Sequence, residues 1–296
     1  DVAVTGVQTC ALPICLAPEN TKFPFMRFRR VSYPFSALLS LIAVALFIFK
    51  GMNFGIDFAG GTVIELRAKS GYAEVGALRT LGENLKLGDI EVQGFGNPAD
   101  ATLRFGLQPG GDVAQQAAVE KIRDAVGTDY DLRRVEVVGP RVSNELVQSG
   151  TLGVVLSIIA VLSYLWFRFE WQFAVGAVVT LILDITKAIG FLAITRLEFD
   201  LVMVAAILTI LGYSTNDKVV VYDRMRENLR KYKTMPLREL IDLSINETLN
   251  RTLGTSMTIF RAALPLALFG GASIAHFAWM MLFGIVVGTS SSIFIA

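Results

Sequence analysis

Three polar side chains, Asn216, Asp217 and Lys218, stand together near the end of a long apolar stretch, within GYSTNDKVVVYDR, which begins at Gly212. A carboxyl group enclosed by apolar side chains can take up and release a proton, and an ionisable residue in a membrane span is by default a candidate for function. The next apolar stretch runs in the opposite direction and begins close to Arg251. We expect Asp217 and Arg251 to face each other at similar depth, with Asn216 hydrogen-bonding near the carboxyl group. The alternatives are a purely structural ion pair, or loop residues placed too deep.

A second group of charges lies in the same apolar region. Asp184 and Lys187 are three residues apart, share one face of a helix and are predicted to neutralise each other. With Asp217, Arg251, Lys218 and Arg261, the spans hold two acids and four bases. Three explanations are open for this excess of bases: a partner subunit supplies acids, the long side chains reach the membrane interface, or the sequence contains substitutions that damage function. Lys218 beside Asp217 could hold that carboxyl group ionised.

The elements that position these residues are predicted to be membrane-spanning helices. Hydrophobic residues make up 53% of the 296 residues, charged residues 18%, and the mean hydropathy is +0.54. Six stretches approach the roughly 20 apolar residues that cross a bilayer. This predicts a polytopic α-helical membrane protein with six transmembrane helices. The predicted spans are 32–52, 147–167, 172–194, 200–222, 248–269 and 275–295.

Basic residues predict the orientation of the six spans. Arg27, Arg29 and Arg30 precede the first span, and six further Lys and Arg residues lie in the connector 223–247. Because such residues favour the cytoplasmic side, we expect both termini to be cytoplasmic. Small residues such as Gly212 and Ser214 should permit close contact between helices.

The segment 53–143, between the first and second spans, is hydrophilic and is predicted to form a small periplasmic α+β domain. Its alternation and helical periodicity give the order β-α-β-β-α-β, a ferredoxin-like unit, with a helix opened by Asp112. Gly60 and Gly61 either turn the chain into the first strand or form a plain flexible link. The chain is predicted to divide into an artefactual or disordered tail (1–20), a cytoplasmic N-terminus with the first span (21–52), the α+β domain (53–143) and a five-helix bundle (144–296). Within the bundle, the connector 223–247 is expected to be a surface helix broken near Pro236.

The residues offer no constellation for covalent chemistry. The chain has one histidine, His276, and two cysteines in the segment 1–20, and no spacing that suggests a metal site, a phosphate loop or an acyl-transfer pair. We therefore expect no catalytic residues, no metal and no cofactor, and not an enzyme. The net charge of +1, with basic residues at helix ends, gives no indication of nucleic acid binding.

Several motifs, in order, resemble the SecF branch of the SecD/SecF family of protein-export membrane subunits, within the RND superfamily. They are GYSTNDKVVVYDRMRENL from Gly212, FGIDFAGGTVIELR from Phe54, VGPRVSNEL from Val138, LNRTLGTSMT from Leu249 and GIVVGTSSSIFIA from Gly284.

The resemblance implies an accessory subunit of the bacterial inner membrane. Such a subunit acts with SecD and the SecYEG translocon on unfolded preproteins, in contact with membrane lipids and driven by the proton motive force. The resemblance also assigns proton passage to Asp217 and Arg251.

Two other functions are open at this level. One is a structural scaffold subunit without ion conduction, and the other is half of an RND-type exporter of small molecules or lipids. The chain has one set of six spans and a single small domain, which favours the proton-driven export subunit and the structural scaffold over an exporter.

Overall fold

The structure is a computed structural model that describes residues 21–85, 87–88, 90–94, 97–127 and 129–294, so the prediction for residues 1–20 lies outside it. In these ranges, six helices are long and apolar enough to cross a membrane, which confirms the predicted spans by length and composition. In chain order the elements are a 3₁₀ turn (Phe25–Arg27), α1 (Arg29–Lys50), β1 (Asn53–Phe54), α2 (Ile56–Ala59), β2 (Gly61–Ala68), α3 (Val75–Asn84), β3 (Ile90–Gly94), β4 (Asp100–Phe105), α4 (Gly111–Val126), β5 (Tyr130–Val138), α5 (Pro140–Arg168), α6 (Trp171–Thr195), β6 (Glu198–Phe199), α7 (Leu201–Lys231), α8 (Leu237–Phe269) and α9 (Ala272–Phe294).

Helix α7 lies at the centre of the bundle, packed against α6, α8 and α9. Close approach of α7 and α9 depends on glycine, because a Cβ at Gly284 would overlap Ile210 and one at Gly288 would lie 3.3 Å from Ser214. Helices α1 and α5 are mostly exposed and carry large apolar side chains such as Ile48 and Phe167 outward. Such faces suit contact with lipid, whose hydrocarbon has no polar groups to satisfy.

The segment between α1 and α5 folds as a four-stranded antiparallel sheet with two helices. The strand order is β3-β4-β2-β5, and the elements follow one another in the predicted order β-α-β-β-α-β. Its core is built from alternate residues of the strands and one face of α4, including Ile64, Leu103, Phe105 and Ile122. Helix α4 begins at Gly111 with Gly110 as its N-cap, so the expectation that Asp112 opens it is wrong.

Gly60 and Gly61 turn the chain from α2 into β2. Their φ angles are 72° and 132°, in the region where only glycine is free of strain. A Cβ on Gly61 would lie 2.5 Å from the carbonyl oxygen of Phe105 in the paired strand. The turn interpretation therefore holds over the plain flexible link.

The connector between the fourth and fifth spans is not a separate surface helix. Helix α7 continues to Lys231 and α8 begins after Pro236, so both helices extend beyond the apolar stretches. Polar contacts hold the extensions together: Asn228 Nδ2 donates to Ser244 Oγ at 3.0 Å, and Arg224 Nε donates to Glu247 at 2.7 Å. The predicted break near Pro236 is present.

Candidate functional site

Asp217 and Lys218 are both buried in the centre of the bundle, with 2% and 0% of their surface exposed. Consecutive residues point about 100° apart around a helix, so both can be buried only where the helix has neighbours on several sides. Helix α7 meets this condition because α6, α8 and α9 surround it. Two residues of the polar triplet, Asp217 and Lys218, therefore lie in the interior of the bundle, and the triplet is part of a helix and not of a loop.

Lys218 is bound by Asp184 of α6. Its Nζ lies 2.8 Å from Asp184 Oδ2, and the same oxygen accepts hydrogen bonds from Ser214 of α7 at 2.8 Å and from Ser291 of α9 at 2.7 Å. The three donors come from two helices, so this one oxygen connects α6 to α7 and α9. These residues, with Lys187, form what we call the Asp184 cluster.

The predicted pair of Asp184 and Lys187 is present but loose. Lys187 Nζ lies 3.8 Å from Asp184 Oδ1, and this oxygen has no hydrogen-bond partner in the part of the chain that the structure describes. Sequence reasoning missed Lys218, Ser214 and Ser291 as the closer partners. The comparable depth of Asp184 and Lys218 in their spans could have indicated that these two residues pair. The apolar sequence around Ser291 does not indicate which side of its helix this residue lies on.

Asp217 and Arg251 do not form the expected pair. Arg251 is exposed, no ion pair joins it to Asp217 in the described ranges, and Asp217 Oδ2 is buried without a hydrogen-bond partner there. The reason is rotation about α8. Thr252 and Ser256, one turn apart, form the buried side of that helix, so Arg251 points outward.

A network of hydroxyl groups lies one helical turn from Asp217. Tyr213 of α7 contacts Ser256 of α8 and lies 3.1 Å from Thr289 Oγ1 of α9, and the hydroxyls of Ser256 and Thr289 are 2.8 Å apart. Hydroxyl groups both donate and accept, so this network can rearrange around a change of charge nearby. The residue types and their spacing in the sequence do not by themselves predict this network.

Three further predicted positions are on exposed surface. Asn216 is exposed and makes no hydrogen bond with Asp217 among the described residues, so its expected role beside the carboxyl group is wrong. Gly212 is also exposed, and among the described residues no atom beyond its own stretch of helix lies within 4 Å of the position a Cβ would take, so no close helix contact is seen at this glycine. Arg261 is exposed as well and does not reach the Asp184 cluster.

No group of three His, Cys, Asp or Glu residues that could hold a metal ion occurs in the described ranges.

Six apolar helices around buried ionisable side chains, with one small α+β domain between the first two, define a polytopic membrane protein with a charged bundle interior. Residues 118–296 match the family model "Protein export membrane protein SecD/SecF, C-terminal", and residues 45–71 match the "SecD/SecF GG Motif". The chain belongs to the SecD/SecF family, which confirms the resemblance seen in its motifs.

Relatives cover almost the whole chain. It is 45% identical to the protein translocase subunit SecF of Rickettsia bellii over 289 residues, which are 96% of this chain and 94% of the relative. It is 47% identical to the protein translocase subunit SecDF of Brucella abortus over 281 residues, which are 95% of this chain and 37% of the relative.

Solved structures of SecDF have the same fold. The crystal structure of SecDF from Thermus thermophilus, described as a translocon-associated membrane protein, matches with a TM-score of 0.83 and 31% identity over 94% of this chain. SecDF in its super-membrane-facing form matches with a TM-score of 0.67 and 34% identity over 93% of this chain. The chain spans 38% of the length of each of these SecDF chains.

Proposed function

We propose that the chain is an accessory subunit of the Sec protein-export machinery that acts with SecD and SecYEG on unfolded preproteins. Membership of the SecD/SecF family and 45% identity to a SecF subunit support this role. The SecDF relatives combine a matching segment with a much longer remainder in one chain, which supports SecD as the partner. The chain acts by moving ions and protein segments and not as an enzyme.

The chain spans the bacterial inner membrane with both termini cytoplasmic. The basic residues before α1 and those of the connector between α7 and α8 lie on one side, which the positive-inside rule assigns to the cytoplasm. The α+β domain, of ferredoxin-like strand order, then faces the periplasm. Its side of the membrane is where an exported polypeptide emerges.

Asp217 couples export to the proton motive force. The observation that carries this proposal is its buried carboxyl group, whose Oδ2 has no partner among the described residues while the adjacent ammonium of Lys218 is bound to Asp184. A carboxyl group in such a position is stable when protonated and must find a cation when it ionises. A unit charge that crosses about 100 mV gains about 2.3 kcal/mol, enough to bias a rearrangement of helices.

Arg251 is the cation that the ionised Asp217 attracts. Its exposed position matches a state in which Asp217 carries its proton and the arginine is released. On loss of the proton, a small rotation of α8 brings Arg251 inward, because it is next to the buried Thr252. The hydroxyl network of Tyr213, Ser256 and Thr289 lies between α7, α8 and α9 and accommodates the change.

A structural scaffold is the second candidate, and the Asp184 cluster favours it. A carboxylate with three donors is a fixed connection of three helices and by itself moves nothing. Under this alternative, the charges hold the bundle in shape for SecD, and Asp217 is dispensable.

Complementation of cells depleted of their own SecF separates the two candidates. Variants Asp217→Asn, Lys218→Thr and, as a control on the exposed side of α7, Asn216→Ala are compared with the parent at matched membrane levels. We expect the parent, Lys218→Thr and Asn216→Ala to restore preprotein export and Asp217→Asn to abolish it. Rescue by Asp217→Asn would favour the scaffold, and failure of the parent to rescue would count against an export role.

A further inference from the structure

The start of α7 is attached to the base of the α+β domain. Strand β1, which follows α1, pairs in parallel with β6, which precedes α7, and Gly55 N–H donates to Phe199 O at 2.8 Å. The chains approach closely at Gly55, since a Cβ there would lie 3.1 Å from Asp200 Cβ and 3.2 Å from Phe199 O. We call this region, 53–58 with 198–201, the α7 joint.

Two carboxylates cap the same end of α7. Asp200 Oδ1 accepts the N–H of Met203 at 2.7 Å, as a residue directly before a helix commonly does. Asp57 Oδ2, from α2, accepts the N–H of Leu201 at 3.0 Å across 144 positions of sequence. The first four N–H groups of a helix lack partners within it, and a carboxylate there is also favoured by the helix dipole. Asp57 thus binds the backbone of α7, so this contact does not depend on the side chain at Leu201.

Further contacts connect the α7 joint to the domain and to α5. Arg104 of β4 pairs with Glu198 at 3.2 Å and also donates to the carbonyl of Phe54. The ring of Phe58 stacks on that of Phe199 with centroids 5.3 Å apart, and Ser143 Oγ of α5 donates to Phe58 O at 2.8 Å. The domain therefore rests on the end of α7 through hydrogen bonds, an ion pair and stacked rings.

Helix α7 connects this joint to the buried charges. It runs from Leu201 to Lys231 without an internal proline, and Asp217 lies about 24 Å from Leu201 at about 1.5 Å per residue. A helix that shifts when Asp217 exchanges its proton moves its first turn as well. Because Asp57 is bound to that first turn, the base of the domain follows.

We propose that Asp57 is a positioning residue that transmits displacement of α7 to the α+β domain during export. The proposal rests on the proposed function, because it needs Asp217 to move α7. The joint acts as a rigid connection, so it stays closed while α7 and the domain move together.

Distances between spin labels on the domain and the bundle test the transmission. Labels are placed at Lys121→Cys in α4 and at Phe269→Cys at the end of α8, both exposed, with Cys10 and Cys15 replaced by serine. The chain is studied in liposomes together with SecD. We expect Asp217→Asn to shift the distance distribution, Asp57→Ala to abolish this shift, and Asp57→Asn, which keeps an acceptor oxygen, to restore it. Asp124→Ala, an exposed carboxylate of α4, serves as the control and should leave the shift unchanged.

A disulfide across the joint provides a second test that does not depend on the folding of Asp57→Ala. Asn53 and Glu198 are paired residues of β1 and β6, so cysteines at these positions can be bridged. We expect the bridged protein, in which the disulfide takes the place of the contact between Glu198 and Arg104, to retain export and the Asp217→Asn shift. Loss of export on bridging, with recovery on reduction, would show that the joint opens and would overturn the proposal.

The outcomes separate this inference from the proposed function. A shift that persists in Asp57→Ala, or an Asp217→Asn variant that loses export with no shift at all, overturns transmission through Asp57 and leaves proton coupling in place. An Asp217→Asn variant that neither shifts the distance nor impairs export overturns both.

Discussion

The ammonium group of Lys218 lies 2.8 Å from Asp184 Oδ2, on a neighbouring helix, although Asp217 precedes it directly in the chain. A lysine next to a candidate proton carrier would be a fixed counter-ion if the two side chains met. In the structure the two side chains do not pair, because Asp184 holds the ammonium group of Lys218, and Asp217 Oδ2 has no hydrogen-bond partner among the described residues.

Neutralising the Asp184 cluster should affect stability in a definite order. Asp184→Asn leaves Lys187 and Lys218 buried without an acid partner, and breaking a buried pair costs about 3–5 kcal/mol. Lys218→Met should be milder, since Lys187, 3.8 Å from Asp184 Oδ1, can take over the carboxylate. The double variant Asp184→Asn with Lys218→Met should be more stable than Asp184→Asn alone, because it removes one of the two unpaired cations. Thermal unfolding in detergent measures the order.

Asn216→Ala is the matched control for these substitutions and should change stability by no more than about 0.5 kcal/mol, because its side chain is exposed. A Lys218→Met variant less stable than Asp184→Asn would contradict the central position assigned to Asp184.

Ser291 should matter more than its neighbour Ser290. Ser291 Oγ is buried and donates to Asp184 Oδ2 at 2.7 Å, and a hydrogen bond to a charged group contributes about 1.5–3 kcal/mol. Ser290 is exposed and its Oγ donates to Val287 O in its own helix. We expect Ser291→Ala to lower the free energy of unfolding by about this amount and Ser290→Ala to leave it nearly unchanged, as measured by denaturant unfolding in detergent. Equal effects would argue against a bond that links α9 to Asp184.

The spans and the domain were predictable because their signals are long and repeated. A span needs about 20 apolar residues whichever way its faces point, and strands show themselves by alternation over several positions. The extension of α7 and α8 beyond the apolar stretches was missed, because hydropathy identifies the apolar part of a helix that crosses the membrane and not its polar continuation. The contacts of Asn228 and Arg224 that stabilise the extensions are polar.

The pairing of charges was less predictable because it depends on rotation about each helix. The spacing of three residues on one helix correctly placed Asp184 near Lys187, and depth in the membrane follows from counting residues. Direction changes by about 100° per residue, so one position decides whether a side chain is buried, as for Thr252, or exposed, as for Arg251. Asn216 and Asp217 differ in the same way. Only the packing of α6, α7, α8 and α9 fixes these directions.

Gly61→Ala should destabilise the domain, whereas Gly76→Ala should not. Gly61 has a φ of 132°, and an added Cβ would lie 2.5 Å from the backbone oxygen of Phe105, which cannot move without disturbing the sheet. Strain of this kind costs of order 1–3 kcal/mol. Gly76 is an exposed position of α3 with open space around it, where alanine is favoured by roughly 0.5–1 kcal/mol. Hydrogen exchange of the β2 amides is the measurement, and similar protection in both variants would contradict the requirement for glycine.

Two aspartates outside the membrane-spanning helices of the structure, Asp200 directly before α7 and Asp100 in β4, should give stability opposite dependences on pH. Burial raises the pKa of Asp200, with a smaller contribution from the negative charge of Asp57, so the folded protein binds this proton more tightly than the unfolded chain. Its contribution is greatest below the ordinary Asp pKa of about 3.9 and is lost as pH rises through the raised value. The Arg67 guanidinium, bound to both carboxylate oxygens at 2.5 and 2.6 Å, lowers the pKa of Asp100. Its contribution is present above the ordinary pKa and is lost as pH falls through the lowered value.

Asparagine at each position removes the titration and keeps the size of the side chain. Relative to the parent, Asp200→Asn should therefore gain thermal stability as pH rises from about 4 to about 7, because the parent alone must then ionise a half-buried carboxyl group. Asp100→Asn should be less stable than the parent at neutral pH, and the difference should shrink on acidification, when the parent loses its ionised partner for Arg67. Melting temperatures of the three proteins in the same detergent provide the measurement, over a range that extends from about pH 7 to below the ordinary Asp pKa of about 3.9, where Asp100 takes up its proton. The prediction would be wrong if the melting temperatures of both variants differed from that of the parent with the same sign and the same slope against pH. The surroundings of Asp200 and Asp100 would then not shift the two pKa values in opposite directions.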